Sequence, residues 1–175
     1  MRRILLSCVC AVVLMLPAAA SGRVSAQARS KPGFLVVKKA AGDRGSPVVT
    51  LVVHGFVLGR ISEAREARVD VYHLPSAKGE GLPDAVGAQV SHRPVRWRGL
   101  PGTEFNGSGF RFRAIGGFYR VVVRGSGLYL FAGGVGNVRL RGSQTYPHAD
   151  GTYSVDGAAF RSLPTRLLTR GLGRG

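Results

Sequence analysis

Residues 107–131 read GSGFRFRAIGGFYRVVVRGSGLYLF. Every second residue in the strand-like parts is apolar, and the pattern continues to residue 141. A period of two is the signature of a β-strand with one face buried. Taken as strands over 110–114, 118–124, 128–132 and 137–141, the segment sorts onto two faces. Phe110, Phe112, Tyr119, Val121, Val123, Leu128, Leu130, Val138 and Leu140 form a core face. Arg111, Arg113, Arg120, Val122, Arg124, Tyr129, Phe131, Arg139 and Arg141 form the other. Between Phe105 and Ala149 there is no Asp or Glu to answer the arginines.

The stretch also repeats itself. Gly107-Ser108-Gly109-Phe110 aligns with Gly125-Ser126-Gly127-Leu128 at an offset of 18 residues, and the same offset places Ala114 on Ala132 and Gly116 on Gly134. A solenoid needs at least three such units. One and a half copies read instead as successive β-hairpins in a meander, with the Gly-Ser-Gly and Ala-Gly-Gly runs supplying the positive φ angles of tight turns.

Working outward, no stretch carries a helical period, and strand signals recur. Phe34–Val37, Val48–Val53 with its continuation Phe56–Ile61, and Ala67–Leu74 are the first. Residues 75–88, rich in Pro, Gly and small polar residues, read as the longest loop. Gln89–Trp97 resumes as a strand that Pro94 assigns to a sheet edge or a bulge. Residues 99–107 read as a turn region, and Asp-Gly pairs bracket one more short strand in 150–157. The sum is an all-β chain of about ten short strands: an antiparallel β-sandwich or small β-barrel whose C-terminal half is a hairpin meander.

The ends have a different character. Arg2-Arg3, the apolar run Ile4–Leu16 and the small-residue sites ending at Ala20 and Ala28 have the layout of a secretory signal peptide. Cleavage is expected after Ala28, with Ala20 as the alternative. Residues 1–28 are thus a signal, 29–162 a single all-β domain, and 163–175 a basic flexible tail. Both cysteines, Cys8 and Cys10, fall in the signal, so the mature chain is cysteine-free. The expected location is outside the cytoplasm, at a bacterial cell envelope. Removal of the signal takes away Arg2, Arg3 and Arg23 and no acid, lowering the formal charge from +16 to +13. Such a field raises the encounter rate with anionic partners.

Catalytic and metal constellations are sparse. His54, His73, His92 and His148 are scattered, and His148-Ala149-Asp150 is at most half a site. Zinc needs three or four converging ligands, and the alternating oxygen ligands of a calcium loop are missing around Asp150 and Asp156. No catalytic residue, metal or cofactor is assigned. Trp97, the only tryptophan, stands between Arg96 and Arg98 and reads as a core or stacking residue.

The arginine face is the surface to explain. Alternate residues on a strand are ~7 Å apart, inside the ~8 Å screening length of physiological salt. Like charges directly across strands cost up to ~1 kcal/mol. An internal answer is stacking on Tyr129 and Phe131, or carboxylates such as Glu63, Glu66 and Asp70 folding over the patch. On that answer the face is merely solvated, and the chain is a structural or protein-interaction module. The functional answer is an anionic partner. The contact surface would be Arg111, Arg113, Arg120, Arg124, Tyr129, Phe131, Arg139 and Arg141. The partner would be an anionic glycan, a teichoic-type polymer or a nucleic acid.

Overall fold

A computed structural model describes residues 31–40, 45–75, 81–143, 145 and 151–173. The expected signal peptide and the His148–Asp150 pair lie outside these residues. The described chain is all-β. It contains β1 (Gly33–Lys38), β2 (Val48–Ile61), β3 (Ala67–His73), β4 (Asp84–Val86), β5 (Gln89–Trp97) and β6 (Leu100–Ser108). It continues with β7 (Arg111–Gly125), β8 (Leu128–Arg141), β9 (Thr152–Val155), β10 (Arg161–Ser162) and β11 (Leu168–Leu172). All eleven join one antiparallel sheet in the order β10-β9-β1-β8-β2-β7-β3-β6-β5, with β11 paired to β8 and β4 paired to β7. The sheet does not close into a barrel.

Three long strands, β8, β2 and β7, form the middle, and they bend. β7 pairs with β4 through Arg111–Arg113 but with β3 through Tyr119–Gly125. β8 pairs with β1 through Tyr129–Gly134 but with β11 through Gly136–Leu140. Each strand therefore changes neighbours halfway along. At that level Gly55 of β2 stands opposite Gly117 on one side and Gly134 on the other, and the β2–β7 register shifts between Gly55 and Phe56. Gly55 has φ +157° and Gly134 φ +142°, and a β-carbon at Gly134 would collide with the carbonyl of His54. Only glycine lets the backbones approach and turn in this way.

The crease explains the burial. Among the described residues there is no helix and no second sheet. Yet Leu35, Val53, Val69, Phe110, Tyr119, Val123, Leu130 and Leu140 are all inaccessible, and they join one continuous core. The two halves of the bent sheet must cover each other. All nine residues read from the sequence as the core face are 0–3% exposed. Each such large apolar side chain contributes about 1.5–3 kcal/mol by leaving water. Pro94 sits in β5, which is an edge strand of the sheet, where a missing N–H breaks no ladder.

Three expectations change. First, the 18-residue repeat does not encode two hairpins. Ala114–Gly117 and Ala132–Gly134 lie inside β7 and β8, and Gly116 and Gly134 mark the bends. β7 and β8 are not partners at all, because β2 runs between them. Second, residues 99–107 are mostly strand: β6 begins at Leu100, and only Arg98-Gly99 forms the turn. Third, the tail is built into the sheet. Leu163 is 2% and Leu172 0% exposed, and β11 extends the half-sheet that contains the end of β8.

Gly134→Ala is expected to cost ~2 kcal/mol or more through strain and collision at the crease. Gly171→Ala, with open space around it, should stay within ~0.5 kcal/mol of the parent. Urea denaturation of both variants checks the contrast.

Candidate functional site

The arginines of the sequence pattern do lie on the outer face, opposite the core. The bend divides them. Arg111 and Arg113 belong to the half containing β4. Arg120, Arg124, Arg139 and Arg141 belong to the half containing β3, β5, β6 and β11. Tyr129 and Phe131 fall with the first group. The eight residues are therefore two patches rather than one.

On one side of the second half the charge is neutralised internally. Arg68 and Arg124 are direct cross-strand partners, as are Asp70 and Glu104, and Glu104 and Arg93. Two of these pairs are of like charge, and the ion pairs run diagonally, so that the sign alternates along the chain Arg93, Glu104, Arg68, Asp70, Arg124. Arg93 donates to both oxygens of Glu104 at 2.6 and 2.9 Å. Arg68 reaches Glu104 at 2.5 Å and donates to Asp70 at 2.8 Å. Arg124 donates to the second oxygen of Asp70 at 2.7 Å. Asp70 and Glu104 are 2% and 4% exposed, and the paired arginines shield them from water. The hydrogen bond to Asp70 raises the Arg68 pKa, and the bond to Glu104 raises that of Arg93. Of the carboxylates considered from sequence, Asp70 does cover the patch. Glu63 and Glu66 are exposed in the turn after β2, and Glu104 takes the other place. In the first half, Asp84 lies 3.3 Å from Arg113, both well exposed.

The aromatic partners also differ from those expected. Tyr129 lies beneath Lys38, and Phe131 stacks on Phe34 with ring centroids 6.0 Å apart. Phe56 lies against Phe131 from the other side at 5.4 Å. Phe34 and Phe56 also cover Gly133, the residue opposite both in the sheet. These rings serve the crease. Among the described residues, the rings that carry an arginine are Tyr72 and Trp97. The Arg120 guanidinium lies 4.3 Å from the Trp97 ring centre and 5.5 Å from that of Tyr72.

Beside Arg120 a groove of about 550 Å³ opens on the outer face. Thr50 and Val52, short side chains of β2, are part of its lining. Arg120, Trp97 and Arg98 lie on one side, and Asn137, Arg139 and Thr169 complete it. The floor is low because β2 separates two arginine-bearing strands by two strand spacings, about 10 Å. Among the described residues, three guanidiniums and no carboxylate line it. Burial lowers the Arg120 pKa from its ordinary value; the Tyr72 and Asp70 charges oppose the shift, and those of Arg124 and Arg139 add to it. Among the described residues Arg120, Arg139 and Arg98 have no hydrogen-bond acceptor. Arg111 and Arg141 are likewise exposed without one.

Trp97, Arg98, Thr50, Asn137 and Thr169 were not legible as site residues. Trp97 reaches Arg120 across β6 and β3, a contact that no local pattern signals. The one local hint is Arg98 itself. Arg98-Gly99 is a two-residue hairpin turn with φ +50° and +80°, the type I′ geometry that favours Asn-Gly.

The described histidines are occupied by packing. His54, His73 and His92 each lie edge-on to their cross-strand aromatic neighbours Phe118, Tyr119 and Phe105. Among the described residues no three His, Cys, Asp or Glu side chains converge, and no helix is long and apolar enough to cross a membrane. No family model, no curated protein and no solved structure matches the chain.

Asp70→Asn should destabilise the fold by about 1–3 kcal/mol, since it weakens two charge-assisted bonds at a buried acceptor. A double-mutant cycle of Asp70→Asn with Arg124→Gln, read by chemical denaturation, should give a coupling above ~0.5 kcal/mol.

Proposed function

We propose that this chain is an exported, non-enzymatic β-domain that binds an anionic polymer at the cell envelope, with the groove around Arg120 as its principal contact. One observation carries the reading. On a single sheet face, Arg93, Arg68 and Arg124 share the two buried carboxylates Glu104 and Asp70, whereas Arg98, Arg120 and Arg139 surround a groove with none among its described lining residues. Arg120 is half-buried without an acceptor, which is costly, while Arg98 and Arg139 are exposed beside it. An anion seated in the groove supplies the acceptors.

The reading narrows the surface inferred from sequence. Arg124 is bound to Asp70, Arg113 lies by Asp84, and Tyr129 and Phe131 pack with other side chains. Arg120 and Arg139 remain at the centre, and Arg141 lies farther along the same strand as Arg139. The competing reading is a structural module with a solvated arginine face, and the ion-pair chain from Arg93 to Arg124 favours it for that part of the surface.

Salt titration separates the two. Affinity for heparin, taken as a flexible polyanion, should fall linearly with log salt concentration, and Arg139→Ala should reduce the slope by ~0.7. Arg161→Ala, on β10 at the far edge, should leave the slope within error of the parent. Binding that is absent, or insensitive to salt, excludes the polyanion reading.

A further inference from the structure

The groove has a chemistry narrower than positive charge, and it rests on the reading just given. We infer that it is built to grip a tetrahedral oxyanion, the phosphodiester group of a polyol- or sugar-phosphate polymer, with Arg98, Arg120 and Arg139 as its donors.

Three features converge. The first is the donor set. Every polar side chain lining the groove can donate: three guanidiniums, the hydroxyls of Thr50 and Thr169, and the amide of Asn137. A guanidinium fork matches phosphate oxygens two at a time. Donors here stand on both sides of a floor about 10 Å across, which leaves room for one oxyanion with bonds of ~2.7–2.9 Å to each wall. A carboxylate presents both oxygens on one side and satisfies one wall only.

The second is the mounting of Arg120. Its guanidinium is stacked against Trp97 at 4.3 Å and flanked by Tyr72 at 5.5 Å. The two ring centres are themselves 6.1 Å apart, so both rings lie to one side of the guanidinium and hold it in place before a ligand arrives. Preorganisation of this kind reduces the ordering cost of binding.

The third is the backbone at Arg98. A non-glycine residue at φ +50° is disfavoured, and asparagine occupies this turn position more readily. Stability alone therefore does not account for arginine here. Its guanidinium lies 5.1 Å from the Trp97 ring centre, at the margin of the groove. The strain is the kind that persists where a side chain is needed for function.

The same stacking argues against nucleic acid. Sequence-tolerant binding of single strands depends on open aromatic faces for the bases. Trp97 already carries Arg120 and Arg98, and no other ring among the described residues lines the groove. A phosphate polymer without bases fits what is left.

Trp97 is the only tryptophan of the chain, so its fluorescence reports on this groove and not on the rest of the basic surface. The purified protein is titrated at physiological salt with poly(glycerol phosphate), with poly-L-glutamate of equal charge number, and with an oligodeoxynucleotide of equal phosphate number. Poly(glycerol phosphate) should change the emission saturably and bind at least about tenfold more tightly than polyglutamate. Arg120→Lys keeps the charge but removes the fork, and should erase most of that preference. Arg98→Asn should weaken phosphate binding severalfold while raising the denaturation midpoint, a pairing that a purely structural arginine would not produce. Equal affinities for the two acyclic polymers, or binding without a Trp97 response, overturn the oxyanion site and leave general polyanion binding intact. Tighter binding of the oligonucleotide overturns the choice of polymer. Failure of all three to bind overturns both readings.

Discussion

The fold depends on a row of glycines. Gly117, Gly55 and Gly134 stand side by side on the three central strands. At this level the backbones are too close to admit a β-carbon at Gly55 or Gly134 without collision. A flat sheet of eleven strands would leave its apolar face in water, with no described helix or second sheet to cover it. The crease lets one sheet act as both layers. It also lets β7 and β8 each hold two different neighbours, so that short strands such as β4 and β11 find places along the halves of longer ones. A domain of this size can bury enough apolar surface without staples, provided that the sheet covers itself.

The order of strands then decides the electrostatics. Had β7 and β8 been partners, Arg120 and Arg124 would have faced the arginines of β8 at about 5 Å, where like charges are directly destabilising. With β2 between them the separation is about 10 Å, and in water the repulsion of a pair falls to ~0.4 kcal/mol before screening by salt. The small outer side chains of β2, Thr50 and Val52, therefore have two effects. They space the arginines far enough apart to be tolerated, and they leave the trough in which the groove forms. Where Arg68 and Arg124 face each other directly, Asp70 binds both; Arg60 and Arg111, also directly opposed, are both exposed to water.

Much of this was written in the alternation. A period of two assigns residues to faces without knowledge of partners, so the core face and the outer arginines of 110–141 followed from local sequence. Pro94 at an edge followed from its missing N–H. What failed was everything that depends on pairing. Glycine signals permissive backbone, and a turn and a bend both need it; Gly116 and Gly134 were read as the first and are the second. The insertion of β2 between β7 and β8 brings together residues more than sixty positions apart, which no local pattern encodes. The tail reads as frayed because it is basic and low in complexity, yet Leu163 and Leu172 are buried and dock it. The same limit hid Trp97, whose role emerges only when β5 is seen on the same half-sheet as Arg120.

The outer face shows two solutions to one problem, and the difference between them is informative. Near β5 and β6 each guanidinium is assigned a carboxylate oxygen, and the resulting chain runs Arg93, Glu104, Arg68, Asp70, Arg124 with a surplus of one positive charge. Two acids there suffice for three arginines, because each carboxylate accepts from two sides. No such economy is applied a few ångströms farther across the sheet. Thr50, Asn137 and Thr169 line the groove with Arg139, at positions where a carboxylate would have been compatible with an exposed strand. Asp70 and Glu104, the buried acids of this face, both lie on the β3 side of Arg120. The segregation leaves three arginines around this groove with no carboxylate among its described lining residues. There, weakly hydrated guanidiniums with fixed geometry gain most from an anion that brings its own oxygens.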